Sequence, residues 1–146
     1  MKTSAAIAAL LLASCNAPDR PPAITVESAW ARATMPGQSA TAVYFRINNR
    51  GAEDRLVGVS STAGQASIHS SAMDGGVMRM RAVQKIEVPA ASTVTFAPGG
   101  MHVMLTGLAA PLAPGARLPL TLTFERSGPK QVSAAVRPPD VNGSAM

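Results

Sequence analysis

From Ala23 onward, apolar and polar positions alternate in short runs and never settle into a helical period. The clearest run is Leu118-Pro119-Leu120-Thr121-Leu122-Thr123-Phe124, where every even position is apolar. Period two of this kind predicts a strand with one buried face. Pro119 inside it predicts an edge or a strand start, because proline cannot donate to a ladder. Comparable segments are ITVESAWAR (24–32), TAVYFRINN (41–49), RLVGVSS (55–61), ASIHS (66–70), VMRMRAV (77–83), IEV (86–88), STVTFA (92–97), HVMLTG (102–107), RLPLTLTFER (117–126) and KQVSAAVR (130–137). Pro36-Gly37, Asp74-Gly75-Gly76, Pro98-Gly99-Gly100, Thr106-Gly107 and Pro114-Gly115 punctuate them with turn chemistry. Short strands so spaced predict an all-β sandwich with Greek-key connections, with a small closed barrel as the alternative.

The first residues follow a different pattern. After Lys2 comes the uninterrupted apolar and small run AAIAALLLAS, too short to cross a bilayer as a helix and placed where a secretory signal belongs. It ends in Leu12-Ala13-Ser14-Cys15, which resembles the bacterial lipobox. The resemblance implies that residues 1–14 are a lipoprotein signal peptide and that Cys15 is acylated and becomes the mature first residue. An ordinary secretory signal is the alternative, and both imply export, to the periplasm-facing side of a membrane. Residues 15–22 (CNAPDRPP) then read as lipidated cysteine and proline-rich tether, 23–138 as the folded domain, and 139–146 as a disordered tail.

Composition narrows the chemistry. The chain has 146 residues, enough for one core, and a single cysteine, so no internal disulfide supports it. A lipidated Cys15 is also lost as a ligand or nucleophile. The formal net charge of +5 is spread without basic runs, and aromatics make up 3% of residues, which argues against a nucleic-acid footprint. No Ser/His/Asp pattern points to a hydrolase, and Asp74, in a Gly-Gly turn, reads as a turn residue.

One window is chemically distinctive. Between positions 69 and 104 lie both histidines, His69 and His102, and five of the eight methionines: Met73, Met78, Met80, Met101 and Met104. Imidazoles and thioethers with no competing cysteine and few carboxylates suit a soft ion, above all Cu(I). Alternation puts His102 and Met104 on one face of their strand and Met78 and Met80 on one face of theirs. Taken singly, a strand methionine is more often core filler than ligand. Their coincidence in one window carries the reading.

The spacing His69, ten residues, Met80, twenty-one residues, His102, one residue, Met104 resembles the H-x10-M-x21-H-x-M signature of the periplasmic copper chaperones of the PCu(A)C type. Trp30-Ala31-Arg32-Ala33-Thr34, Asp54-Arg55-Leu56-Val57-Gly58, Asp74–Met80 and Pro98–Leu105 are similar to further segments of that family, so the likeness runs from about Ile24 to Val136. It implies a cupredoxin-like sandwich that binds one Cu(I) through His69, Met80, His102 and Met104. It further implies a monomer that passes copper to an acceptor protein, such as the copper site of cytochrome c oxidase or another copper chaperone. Membrane attachment would come through the lipid anchor. Ser70 and Ser71 stand where many relatives carry acidic or amide residues, and the tail lacks histidine, which implies no second, Cu(II) site. A blue-copper electron carrier would need a thiolate that this domain lacks. Haem has neither a C-x-x-C-H motif nor an aromatic wall. The remaining alternative is a metal-free lipoprotein that serves as an envelope binding or assembly module.

Overall fold

Ten strands form among the described residues: β1 (Ile24–Arg32), β2 (Thr41–Asn49), β3 (Asp54–Ser60), β4 (Gln65–Asp74), β5 (Val77–Ala82), β6 (Ile86–Val88), β7 (Ser92–Phe96), β8 (Met101–Thr106), β9 (Arg117–Phe124) and β10 (Gly128–Arg137). The computed structural model describes residues 20–139, and among these there is no helix. The expected signal peptide, Cys15 with most of its tether, and the tail from Asp140 lie outside the described residues.

Alternation translates directly into packing in β9. Leu118, Leu120, Leu122 and Phe124 are buried, whereas the intervening residues are partly or fully exposed. Removing such side chains from water contributes about 1.5–3 kcal/mol each as an upper estimate. Pro119 is tolerated in this interior strand because β3 first pairs with β9 at Thr121, so the chain is locally an edge there. The same alternation in β2 sends Val43, Phe45 and Ile47 to the core and Tyr44 to the opposite face.

The strands follow one hydrogen-bonded path, β5-β4-β8-β2-β1-β10-β9-β3-β6, with β7 paired beside β8 on β2. Neighbours are mostly non-consecutive in sequence, as Greek-key connections require. The path turns where β1 and β10 meet in parallel, Trp30–Arg32 against Ala135–Arg137. Just before that point the β1–β2 register shifts between Glu27 and Trp30, with Ser28 at φ 54°. An extra residue there bends β1 away from its first partner and toward its second. The two halves close over one core, in which Phe45 and Phe96 stack with centroids 4.4 Å apart and Leu56, Val88, Leu105 and Val136 fill in around them.

The β4–β5 hairpin departs from expectation. β4 continues past Ser70 to Asp74, so Ser71, Ala72 and Met73 are strand residues and not loop. All of β5 and the end of β4 are exposed, so burial imposes no period on their sequence. The strands are held by ladder pairing and a tight turn. Gly75 and Gly76 both have positive φ, 58° and 82°, as a two-residue type I′ connection between Asp74 and Val77 demands.

Candidate metal centre

Three neighbouring strands build the site, with β4 in the middle. Pairing with β8 sets His69 opposite His102 and Ser67 opposite Met104. Pairing with β5 sets Ser71 opposite Met80 and Met73 opposite Met78. Directly paired residues share a face, and so do residues two apart. His69, Met80, His102 and Met104 therefore all project from the same side of the sheet, away from Ile68, Val103 and Leu105 in the core. Met80 is diagonal to His69, a separation that a long side chain bridges. Met101 takes the other direction and packs against the core. Met73 and Met78 join the His/Met face farther along the hairpin.

The histidine on β8 is fixed by the turn that precedes it. Ala97-Pro98-Gly99-Gly100 is closed by the Gly100 N–H donating to the Ala97 carbonyl at 3.0 Å, with Gly99 at φ 84°. Proline second and a positive-φ glycine third are the requirements of a type II turn. The turn presents the Gly100 carbonyl to His102 Nδ1 at 3.1 Å, and the same oxygen accepts the Ser71 N–H at 3.1 Å. A carbonyl can only accept, so Nδ1 carries a proton and, in the neutral ring, Nε2 keeps its lone pair. That Nε2 is buried with no hydrogen-bond partner.

His69 mirrors this arrangement. Its Nε2 shares a 2.9 Å hydrogen bond with the Ser67 hydroxyl, two residues back on the same face, while Nδ1 is buried without a partner. When Nε2–H donates to the hydroxyl, Nδ1 is the free donor atom. The rings lie 5.9 Å apart between centroids and within 20° of parallel. Leaving two ring nitrogens buried and unpaired costs about 1–3 kcal/mol each. Fixing one nitrogen of a histidine by an outer hydrogen bond and leaving the other bare is how metal-ligating imidazoles are held.

Sulfur completes a soft donor set. Met104 is half-buried beside His102, whereas Met80 is 51% exposed at the rim. Among the described residues no three or more His, Cys, Asp or Glu side chains gather into a group that would suit a hard cation. On the far side of His102, Tyr44 lies 6.4 Å away between ring centroids and packs at 4.7 Å on Trp30, over which the Arg137 guanidinium sits at 5.0 Å. Burial raises the Tyr44 phenol above its ordinary value of 10.0, opposed by the charge of Arg32, so it stays a neutral wall of the site.

Ser67, the Gly100 carbonyl and the Trp30–Tyr44 pair escaped sequence reasoning. A serine two residues from a strand histidine and a Pro-Gly-Gly turn two residues before another are the signals that could have found the first two. Cys15 lies outside the described residues.

Comparison with known proteins gives the chain a family and solved relatives. Residues 24–136 match the family described as "Putative lipoprotein LpqE-like". The "Putative lipoprotein Lxx21020" of Leifsonia xyli subsp. xyli is 32% identical over 117 residues, 78% of this chain and 69% of the relative. Among solved structures, the copper-bound PCuAC domain from PmoF2 is 31% identical with a TM-score of 0.67, covering 80% of this chain and 93% of that domain. Apo-DR1885 from Deinococcus radiodurans is 26% identical with a TM-score of 0.62, covering 97% and 99% of the two chains. The Cu(I) form of DR1885 is 30% identical with a TM-score of 0.60, covering 80% and 78%.

Proposed function

The chain belongs to the LpqE-like lipoprotein family, and from that premise we propose that it is an exported Cu(I) carrier that holds one ion through His69, Met80, His102 and Met104. The single observation that carries the reading is the pair of unpartnered ring nitrogens, Nδ1 of His69 and Nε2 of His102, on directly opposed residues. Two copper-bound PCuAC structures among its solved relatives support the choice of ion.

The residues account for a carrier and give no role to turnover. Two neutral imidazoles and two thioethers add no negative charge, so they favour Cu(I) over Cu(II) or Zn(II). Thioethers also cannot close into a disulfide in an oxidising compartment. His69 and His102 are held by Ser67 and Gly100 and form the fixed wall of the site. Met80, at the exposed rim, is the ligand an incoming donor displaces first. A thiolate-rich acceptor, such as the copper site of cytochrome c oxidase, completes the transfer by ligand exchange. Cys15, acylated, tethers the domain to the membrane where such acceptors stand.

Anaerobic titration with Cu(I) against a chromogenic chelator tests this. The expected result is one equivalent bound by the native protein and strongly weakened binding in His102→Ala, Met104→Ala and Met80→Ala. Absence of binding, or binding indifferent to all three substitutions, overturns the reading and leaves a metal-free envelope module.

A further inference from the structure

Four of the five most exposed large apolar residues among those described lie on the β4–β5 hairpin: Met73, Val77, Met78 and Met80. Only Met80 is accounted for by the proposed site. Met73 and Met78 are 64% and 55% exposed, lie outside the core cluster, and are directly paired across the two strands. Their register position is one pair in from the Asp74–Val77 pair that closes the turn. Alternation turns both sulfurs to the face that carries His69 and Met80.

That face is uncharged along its length. From β4 it carries Ser67, His69, Ser71 and Met73, and from β5 Met78, Met80 and Ala82. The charged residues of the hairpin take the other face, where Arg79 Nε and Asp74 Oδ2 pair at 3.3 Å. Two thioethers on directly paired positions of a ladder are a neighbouring pair of soft donors. They continue the line Met104–His102–His69–Met80 outward to the hairpin tip.

We propose that Met73 and Met78 form an outer, two-sulfur station for Cu(I), at which the ion is taken in and handed on, with Met80 linking it to the inner site. The inference rests on the carrier reading above. Each movement exchanges one neutral donor for another, thioether for thioether at Met80 and thioether for the bare imidazole nitrogens at the inner site, so no proton or electron changes hands and the charge stays that of Cu(I). The station governs the rate of exchange, and the inner site governs affinity.

Met73→Leu/Met78→Leu in the full-length protein isolates the station, because leucine keeps the apolar bulk at exposed positions and removes the sulfur. Stopped-flow transfer of bound Cu(I) to a chelator is expected to slow about tenfold, with equilibrium affinity unchanged. In native protein labelled with 13C at the methionine methyls, Ag(I) beyond one equivalent, standing in for Cu(I), is expected to shift the Met73 and Met78 signals after those of Met80 and Met104. Unchanged transfer rates with intact Cu(I) binding overturn the outer station and leave the carrier reading standing. A loss of affinity equal to the loss of rate also overturns it, because the pair would then belong to the inner site. Failure of the native protein to bind Cu(I) overturns the carrier reading itself.

Discussion

His69 and His102 face each other directly across β4 and β8, and each has one hydrogen-bonded ring nitrogen and one buried ring nitrogen without a partner. The arrangement carries a cost in the metal-free state, since neither buried nitrogen recovers the hydrogen bond it had in water. A ligand that supplies the missing partner to both relieves that cost at once.

Cu(I) is therefore expected to stabilise the fold. At a free concentration 100 times the dissociation constant, linkage gives about 2.7 kcal/mol. Urea unfolding under anaerobic conditions, with and without the ion, measures it. In His102→Ala the copper-dependent increment is expected to vanish, while the metal-free protein loses about 1–3 kcal/mol from the emptied volume and the lost bond to Gly100, partly offset by removal of the unsatisfied nitrogen. A large loss of metal-free stability with an undiminished copper increment would contradict the assignment.

Ser67 offers a separable test of the outer hydrogen bond. It is exposed, so Ser67→Ala is expected to change stability by less than about 0.5 kcal/mol. Without the hydroxyl, His69 loses the partner that orients its ring and biases its tautomer. Cu(I) affinity is then expected to fall about 10–100-fold. Ser67→Thr, which keeps a hydroxyl on a strand-favouring side chain, is expected to recover most of it. Competition titration of the three proteins decides the matter.

Much of this was legible in the chain. Strand positions followed from alternation wherever one face is buried, as in β9, and β1, β2 and β6 run over the residues the pattern predicts. The shared faces of His102 with Met104 and of Met78 with Met80 followed from the same rule. What alternation cannot encode is which strand lies beside which. β4 sits between β5 and β8, and so sets His69 against His102, through pairings between segments some thirty residues apart. The far half of β4 was missed because both its faces meet solvent, leaving no hydrophobic period to read. Trp30 and Tyr44 were missed as site walls because burial on the outer face looks, in sequence, like any aromatic in a strand.

The β4–β8 register has its own checkpoint at Gly64. A Cβ there would run into the backbone carbonyl oxygen of Thr106. The next residue, Gln65, is the one paired with Thr106 at the start of the ladder. Gly64→Ala is therefore expected to push the two strands apart at that end and cost about 1–3 kcal/mol. Because Ser67, Met104 and the two histidines sit on the following pairs, Cu(I) affinity is expected to fall as well. Unfolding and titration on the same variant check both, and an unchanged stability would refute the close approach.

Far from the metal face, Asp54 ties the β3 start to the β9–β10 turn and should govern stability in acid. It is 3% exposed, and its Oδ1 accepts the N–H groups of Arg55 and Arg126, both at 2.8 Å. Its Oδ2 accepts the Ser127 N–H at 2.9 Å and hydroxyl at 2.6 Å. Burial by itself would raise the pKa, but these four donors together outweigh it and hold the carboxyl below its ordinary 3.8. A depressed carboxylate contributes stability that is complete above its unfolded-state value and is lost as pH falls through the folded one. The loss is therefore expected below about pH 4. Asp54→Asn cannot satisfy the donors on both sides, because its amide nitrogen would meet N–H or O–H groups, and it is expected to cost about 2–4 kcal/mol at pH 7. The variant should also lose this part of the acid dependence, so that native and variant stabilities converge as the pH is lowered. Urea unfolding of both proteins from pH 7 to pH 3 measures the convergence, and a gap that stayed constant across that range would assign the acid dependence to other carboxylates.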